Sequence, residues 1–276
     1  MPQRTPCKVS IILPVYNGAR FIARAIESVL KQNFAQWELI VVDDGSDDET
    51  PEIAGSFAKR DARVRYLRNP ENLGIQRTLN RGLCEARGRY VARLDDDDVW
   101  LDGGKLGSQA DFLDSHPDHV LVGTGAIVAD EQGRELFRFM GLLTDEKIRN
   151  TLLRKNCFTH STVMFRRDAV LAVGGYSEDA RTRHVEDYDL WLRLGTRGLL
   201  ANLPLFAIQS TLRSGNISWR NKPEQLKKDI ELVKRYRGSY PRSRSALVFA
   251  WVRYALYRLL PFFPFRKIAL KLYKTY

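Results

Sequence analysis

Apolar runs and amphipathic stretches alternate over the first hundred positions. Residues 8–15 (KVSIILPV) are short, apolar and β-rich, and the Asn17-Gly18 turn signal follows them, so the pattern predicts a buried strand. Phe21, Ile22, Ala25, Ile26, Val29 and Leu30 then recur at helical spacing. Residues 37–42 predict a second buried strand, broken by Asp43-Asp44-Gly45-Ser46. Residues 50–60 read as a helix with Pro51 suited to its first turn. A short strand at 64–67, a helix at 74–86 with Leu79 and Leu83 on one face, and a strand at 90–94 follow; the last runs into four aspartates. Alternating strands and helices mean parallel strands with crossover helices, an α/β sheet. Ligands of such sheets bind outside the carboxyl ends of the strands, and the polar breaks after Val15, Val42 and Leu94 fall at such ends.

The second half is more mixed. Residues 120–129 and 135–140 flank a Gln132-Gly133 turn and predict a hairpin. Residues 144–155 read as helix, 161–165 as strand, Gly174-Gly175 as loop and 185–194 as helix, with Leu190, Trp191 and Leu194 on one face. A strand over 199–212 and a polar helix over 223–237 complete the pattern.

Composition narrows the class. A chain of 276 residues that is 44% hydrophobic has material for a sizeable core, as one large domain or one domain with an appendage. Cys7, Cys84 and Cys157 are odd in number and far apart, which argues against a disulfide framework or a zinc site and for a reduced, cytoplasmic compartment. The first eight residues lack a signal-peptide layout, and no apolar run reaches the length of a membrane span. The net charge of +11 is uneven: residues 213–276 carry 16 Lys/Arg and 3 Asp/Glu, and no acid follows Glu231. Such a tail suits an anionic surface.

The aspartate run is the sharpest chemical signal. In an extended segment Asp95 and Asp97 share one face and Asp96 and Asp98 the other. Two carboxylates at a strand end make a weak, open site for Mg²⁺ or Mn²⁺ completed by phosphate oxygens; a solvated acidic loop fits equally. Asp43 and Asp44, at the end of a neighbouring strand, add to the acidity and favour the cation reading. The stretch does not follow an EF-hand, no GxGxxG follows the first strand, and no Walker motif occurs. Glu186 and Asp187 lie where a helix begins; the helix dipole favours acids there, and a general base is the other reading.

VSIILPVYNGARFIARAIESVLKQNF, WELIVVDDGSDDET, NLGI, GRYVARLDDDD, GGY and HVEDYDLWLRL together, in this order and spacing over residues 8–218, resemble glycosyltransferase family 2. The resemblance implies a GT-A fold, a Rossmann-like, mostly parallel sheet flanked by helices, and an inverting enzyme that uses a nucleotide-sugar donor, UDP-linked by preference, and a glycan or lipid-linked acceptor. By position it implies that Pro14, Tyr16, Asn17 and Asp44 line the base and ribose pocket, with Asp95 and Asp96 near the ribose and metal. Asp97, with Asp95, then holds the metal on the donor diphosphate, and Asp187 is the catalytic base with Glu186 beside it. His160 matches a His-Ser pair of related sequences; a satisfied core histidine fits as well. The QxxRW motif of processive members is absent, which favours single addition. Leu212 onward, LRSGNIS, resembles a loop after the catalytic helix, in which Arg213 is either a diphosphate contact or a plain surface arginine.

Three rival classes fit the sequence less well. A sugar nucleotidyltransferase calls for a Gly-rich basic loop where the chain reads LPVYNGAR. A non-catalytic nucleotide-sugar-binding module would lose the base that Asp187 supplies. A nucleic-acid partner is disfavoured because residues 1–212 are slightly acidic and the basic tail is interleaved with large apolar residues. The expected organisation is a glycosyltransferase domain over 1–218, with a nucleotide-sugar-binding half at 1–100 and an acceptor-binding half at 101–218. A helical region over 219–276 follows, with residues 245–276 placed peripherally on the cytoplasmic membrane face.

Overall fold

A computed structural model describes residues 7–212 and 222–259. The first half follows the hydrophobic pattern closely. Strands β1 (Val9–Val15), β2 (Trp37–Asp43), β3 (Val64–Arg68) and β4 (Tyr90–Arg93) alternate with helices α1 (Ile22–Leu30), α2 (Thr50–Arg60) and α3 (Ile75–Glu85). β1 pairs in parallel with β2 and with β4, and β2 with β3. Parallel strands covered on both faces need apolar residues at successive positions, and every residue of β1, β2 and β4 is buried.

The second half joins the same sheet through an antiparallel pair and is mixed in direction. It contains β5 (Val99–Trp100), α4 (Lys105–Ser115), β6 (His119–Asp130), β7 (Glu135–Phe139), α5 (Asp145–Arg149), β8 (Met164–Arg166), α6 (Arg167–Ala172), α7 (Glu186–Leu194) and β9 (Leu199–Leu212). β8 runs antiparallel to β4 and β6, while β6 and β9 pair in parallel. The sheet order is β3-β2-β1-β4-β8-β6-β9-β5, with β7 paired to β6 as the expected hairpin. Alternate strand residues feed two cores. Ile12, Ile40, Val91 and Phe165 join one, and Ile11, Leu39, Ala92 and Met164 the other.

Four expectations change. The helix expected over 144–155 ends at Arg149, because Leu152 and Leu153 bury themselves from a series of turns. The strand expected over 161–165 begins as a 3₁₀ turn, His160–Thr162, and enters the sheet only at Met164. Helix α4, not anticipated, buries Leu106, Ala110 and Leu113. The aspartates are not extended: Asp98 N donates to Asp95 O at 3.2 Å, closing a turn, so the expected facing of Asp95 with Asp97 does not hold. Residues 213–221 lie outside the described residues, and with them Arg213, most of LRSGNIS and the boundary at 218.

Helices α8 (Lys222–Tyr236) and α9 (Ser243–Leu259) close the described chain. Leu226, Ile230 and Val233 of α8 and Ala246 and Ala250 of α9 are buried, most of them in the core that holds α7. The expected 245–276 segment is therefore split: its first turns pack on the body, and 260–276 lie outside the described residues. Cys7, Cys84 and Cys157 are unbridged.

Candidate active site at the carboxyl edge of the sheet

Three loops converge where β1, β2 and β4 end. Asn17 takes a left-handed backbone (φ 53°), which asparagine tolerates. Its N–H donates to Ser46 Oγ at 2.9 Å, and its Oδ1 accepts from Asp47 N at 3.0 Å. Gly18 N donates to Thr50 Oγ1 at 3.0 Å. A Cβ at Gly18 would stand 2.5 Å from both Asp96 Oδ2 and Val15 Cγ2, so the first loop and the aspartate turn are in close contact there and a side chain would have to displace one of them. Pro14 is buried in β1, while Tyr16 is 49% exposed at the mouth of these loops.

The acids of the second loop are internal braces, which corrects the expectation that they add charge to the crevice. Asp43 accepts from Ser46 N at 2.9 Å and Tyr66 Oη at 2.6 Å. Asp44 accepts from Asn69 Nδ2 at 2.6 Å and from the N–H groups of Leu73 and Gly74, both at 2.9 Å. Both carboxylates are buried and satisfied.

The aspartate turn divides its four members. Asp98 is buried and accepts from Thr211 N at 3.1 Å, while Thr211 Oγ1 donates to Asp97 O at 2.6 Å, which pins the turn to β9. Burial, then the charges of Asp97 and Asp95, push the Asp98 carboxyl well above the usual carboxylate range. Asp96 and Asp97 are partly exposed on the turn. Asp95 accepts from Arg93 at 2.5 Å and from Ser161 Oγ at 3.1 Å, and its N–H donates to Ser161 Oγ at 2.9 Å. Burial works against its ionisation, but the Arg93 guanidinium, helped by the Ser161 hydroxyl, outweighs it and holds the carboxyl below the usual range.

Arg93 was not anticipated. Its side chain is fully buried and donates also to Ile12 O at 3.0 Å, Leu94 O at 2.7 Å and His160 Nε2 at 3.1 Å. The available signal was a cation inside an otherwise apolar strand, YVAR, just before a run of acids. His160 is a partnered interior histidine: Tyr176 Oη lies 2.8 Å from Nε2 and the Trp191 ring packs edge-on. Burial and the Arg93 charge push its imidazole down to about 3, so it stays neutral.

Glu186 and Asp187 open α7, beside this cluster. Asp187 Oδ2 accepts from Asn156 Nδ2 at 2.8 Å. Burial is the main reason its carboxyl is pushed up to about 6, against the pull of Tyr188 N–H and Asn156. Glu186 is pushed up to about 7 by burial and then by Asp187; its Oε2 is buried with no hydrogen-bond partner among the described residues. The Asp95 charge reaches both carboxyls, so the fold brings together acids far apart in sequence. Asp189, in the same turn, is different: Arg193 and Tyr236 hold it at 2.8 and 2.9 Å as a brace to α8. A surface cleft of about 530 Å³, lined by Arg149, Arg197 and Ser239, lies past the far end of α7, and none of these site residues lines it.

This fold and this edge define a GT-A glycosyltransferase. The model of glycosyl transferase family 2 matches residues 10–174, and the chain belongs to that family. EpsE of Bacillus subtilis is 38% identical over 192 residues, covering 69% of this chain and 68% of that one. The Escherichia coli UDP-Glc:alpha-D-GlcNAc-diphosphoundecaprenol beta-1,3-glucosyltransferase WfgD is 33% identical over 186 residues, 67% of this chain and 69% of its own. A solved mannosyltransferase of Pyrobaculum calidifontis, PcManGT in complex with GDP-Man and Mn²⁺, shares the fold with a TM-score of 0.65 at 17% identity, over 98% of this chain and 80% of that one.

Proposed function

We propose that this glycosyltransferase moves a sugar, with inversion, from a UDP-linked donor to a hydroxyl of a glycan or lipid-linked acceptor at a membrane surface. The observation that carries the reading is the pair of opposed acidic environments. Asp95 is held ionised by Arg93, while Asp187 is tuned to about 6 within reach of its charge. WfgD, whose name specifies UDP-Glc and a diphosphoundecaprenol acceptor, supports the donor and acceptor classes.

In this reading Asp187 takes the proton of the acceptor hydroxyl. The freed oxygen attacks the anomeric carbon as the bond to the donor diphosphate breaks on the opposite face. A base near 6 is ionised at neutral pH yet still basic enough to accept a proton. Glu186, beside it and near 7, shares the proton-handling site. Tyr16 and Asn17, over Pro14, line the nucleoside, and Asp96 stands against the loop that carries them. Asp44 acts by holding the 72–74 loop that walls the pocket.

The turn brings no group of three metal-ligating side chains together among the described residues, but a divalent ion that keeps phosphate and water ligands needs one or two carboxylates. The turn offers hard carboxylate oxygens, and the crowding that pushes Asp98 up is what a cation relieves. Asp97, with Asp95, would hold Mg²⁺ or Mn²⁺, which neutralises charge on the departing diphosphate. The test is a donor screen with purified protein and Mn²⁺ or Mg²⁺, reading released nucleoside diphosphate. Release from a UDP-sugar that rises with acceptor supports the reading; no release from any nucleotide sugar refutes it.

A further inference from the structure

Helix α9 has two unlike faces. On one, Ala246 and Ala250 are buried, Leu247 and Tyr254 pack on the core, and Arg253 pairs with Asp229 of α8. Arg154 lies over the Phe249 ring at 4.5 Å. On the other, Val248, Trp251, Val252 and Leu256 are 63%, 49%, 50% and 59% exposed. Their spacing of three, four and eight positions from Val248 makes one continuous stripe along the helix. The other exposed large apolar residues of the described chain, such as Leu101, Leu136 and Leu171, are isolated in sequence. An apolar stripe of this kind marks an interaction surface.

Charge selects the occupant. Arg242, Arg244 and Arg258 are exposed at the two ends of the helix. No acid follows Glu231, and residues 260–276 add Arg266, Lys267, Lys271 and Lys274 among aromatic and aliphatic residues. A second copy would set one basic tail against another. An anionic bilayer instead offers apolar depth for the stripe and phosphates for the arginines. No described helix is long and apolar enough to cross a membrane.

We propose that the Val248–Trp251–Val252–Leu256 stripe of α9 lies in the interfacial layer of an anionic phospholipid bilayer, with the flanking arginines among the headgroups. The proposal deepens the reading of a membrane-bound acceptor and rests on it for its purpose, not for its test. It also ties the membrane to the base. Helix α8, on which α9 packs, holds the loop before α7: Gln225 Nε2 donates to His184 O at 3.1 Å and Lys228 Nζ to Arg183 O at 2.8 Å. The element that meets lipid is thus one helix away from the loop that sets Asp187.

The experiment uses the full chain, without nucleotide sugar, so its outcome is independent of the transfer reaction. Vesicles of phosphatidylglycerol and phosphatidylcholine are compared with phosphatidylcholine alone by co-sedimentation. Wild-type protein binds the anionic vesicles, and about 0.5 M salt weakens that binding. The V252E/L256E double substitution lowers it at least about tenfold while circular dichroism and UDP binding are unchanged. Brominated lipids quench tryptophan emission, and W251F loses most of that quenching, a result that stands even if the double variant folds poorly. Wild type that ignores anionic vesicles at low salt, a well-folded double variant that binds like wild type, or quenching unchanged in W251F overturns the proposal. So does a wild-type dimer that V252E/L256E dissociates, which would make the stripe a self-association face.

Discussion

The aspartate turn after β4 and the first turn of α7 are built from the same residue types and do opposite things. At the turn Asp95 has a buried guanidinium and a serine hydroxyl on its oxygens, and its carboxyl is held low. At α7, Glu186 and Asp187 are also largely removed from water, but their hydrogen-bonding help is the Asn156 amide and nearby backbone N–H groups, with no cation beside them among the described residues, and both carboxyls are pushed up. Burial is shared; the neighbouring cation is not. That difference gives the aspartate turn a lasting negative charge and the start of α7 a carboxyl that can hold a proton near neutral pH; in the proposed reaction the first would serve the donor and the second the acceptor.

The largest test removes the donor-side charge. Asp97→Ala, or wild type in EDTA, is expected to lose metal-dependent donor binding and turnover to background, measured by UDP titration and nucleotide release; full activity in EDTA would break the contrast. Next, Asp187→Asn keeps donor affinity and lowers turnover by roughly 10²-fold or more, the usual scale for a lost general base. A dead Glu186→Gln with an active Asp187→Asn would reverse the two roles. Arg93→Met leaves Asp95, about a third exposed, against no cation and the carbonyls of Ile12 and Leu94 without their donor; a urea melt should show a loss of about 1–3 kcal/mol.

The pH profile sharpens the same point. The base works ionised, so kcat/KM should fall about tenfold per pH unit below the carboxyl near 6 and level off above it. Asn156→Leu removes a hydrogen bond that favours the ionised form, so the acid limb should move to higher pH. The smallest effect is on stability. A carboxyl raised in the folded state stabilises fully below its unfolded value and loses that contribution as pH rises through the folded one. Glu186→Gln should therefore gain on the order of 1 kcal/mol at pH 8 relative to wild type and almost nothing at pH 4, by thermal melts at both.

How much of this was legible depended on whether a signal was local. Strands β1, β2 and β4 came directly from apolar runs, because a parallel strand buried on both faces needs them. Asp95, Asp97 and Asp187 could be singled out as candidates because acids at strand ends and in first helical turns are visible in order along the chain. The sequence by itself determined the α/β class, the strand ends at which the acids gather and the family. Tertiary structure decided what each acid does. It turned Asp43, Asp44, Asp98 and Asp189 into braces by bringing Ser46, Tyr66, Asn69, Thr211, Arg193 and Tyr236 to them. It placed Arg93 and Ser161 on Asp95, and left Asp187 with Asn156. A carboxylate's charge state is set by burial and by partners distant in sequence, and no one-dimensional pattern carries that information.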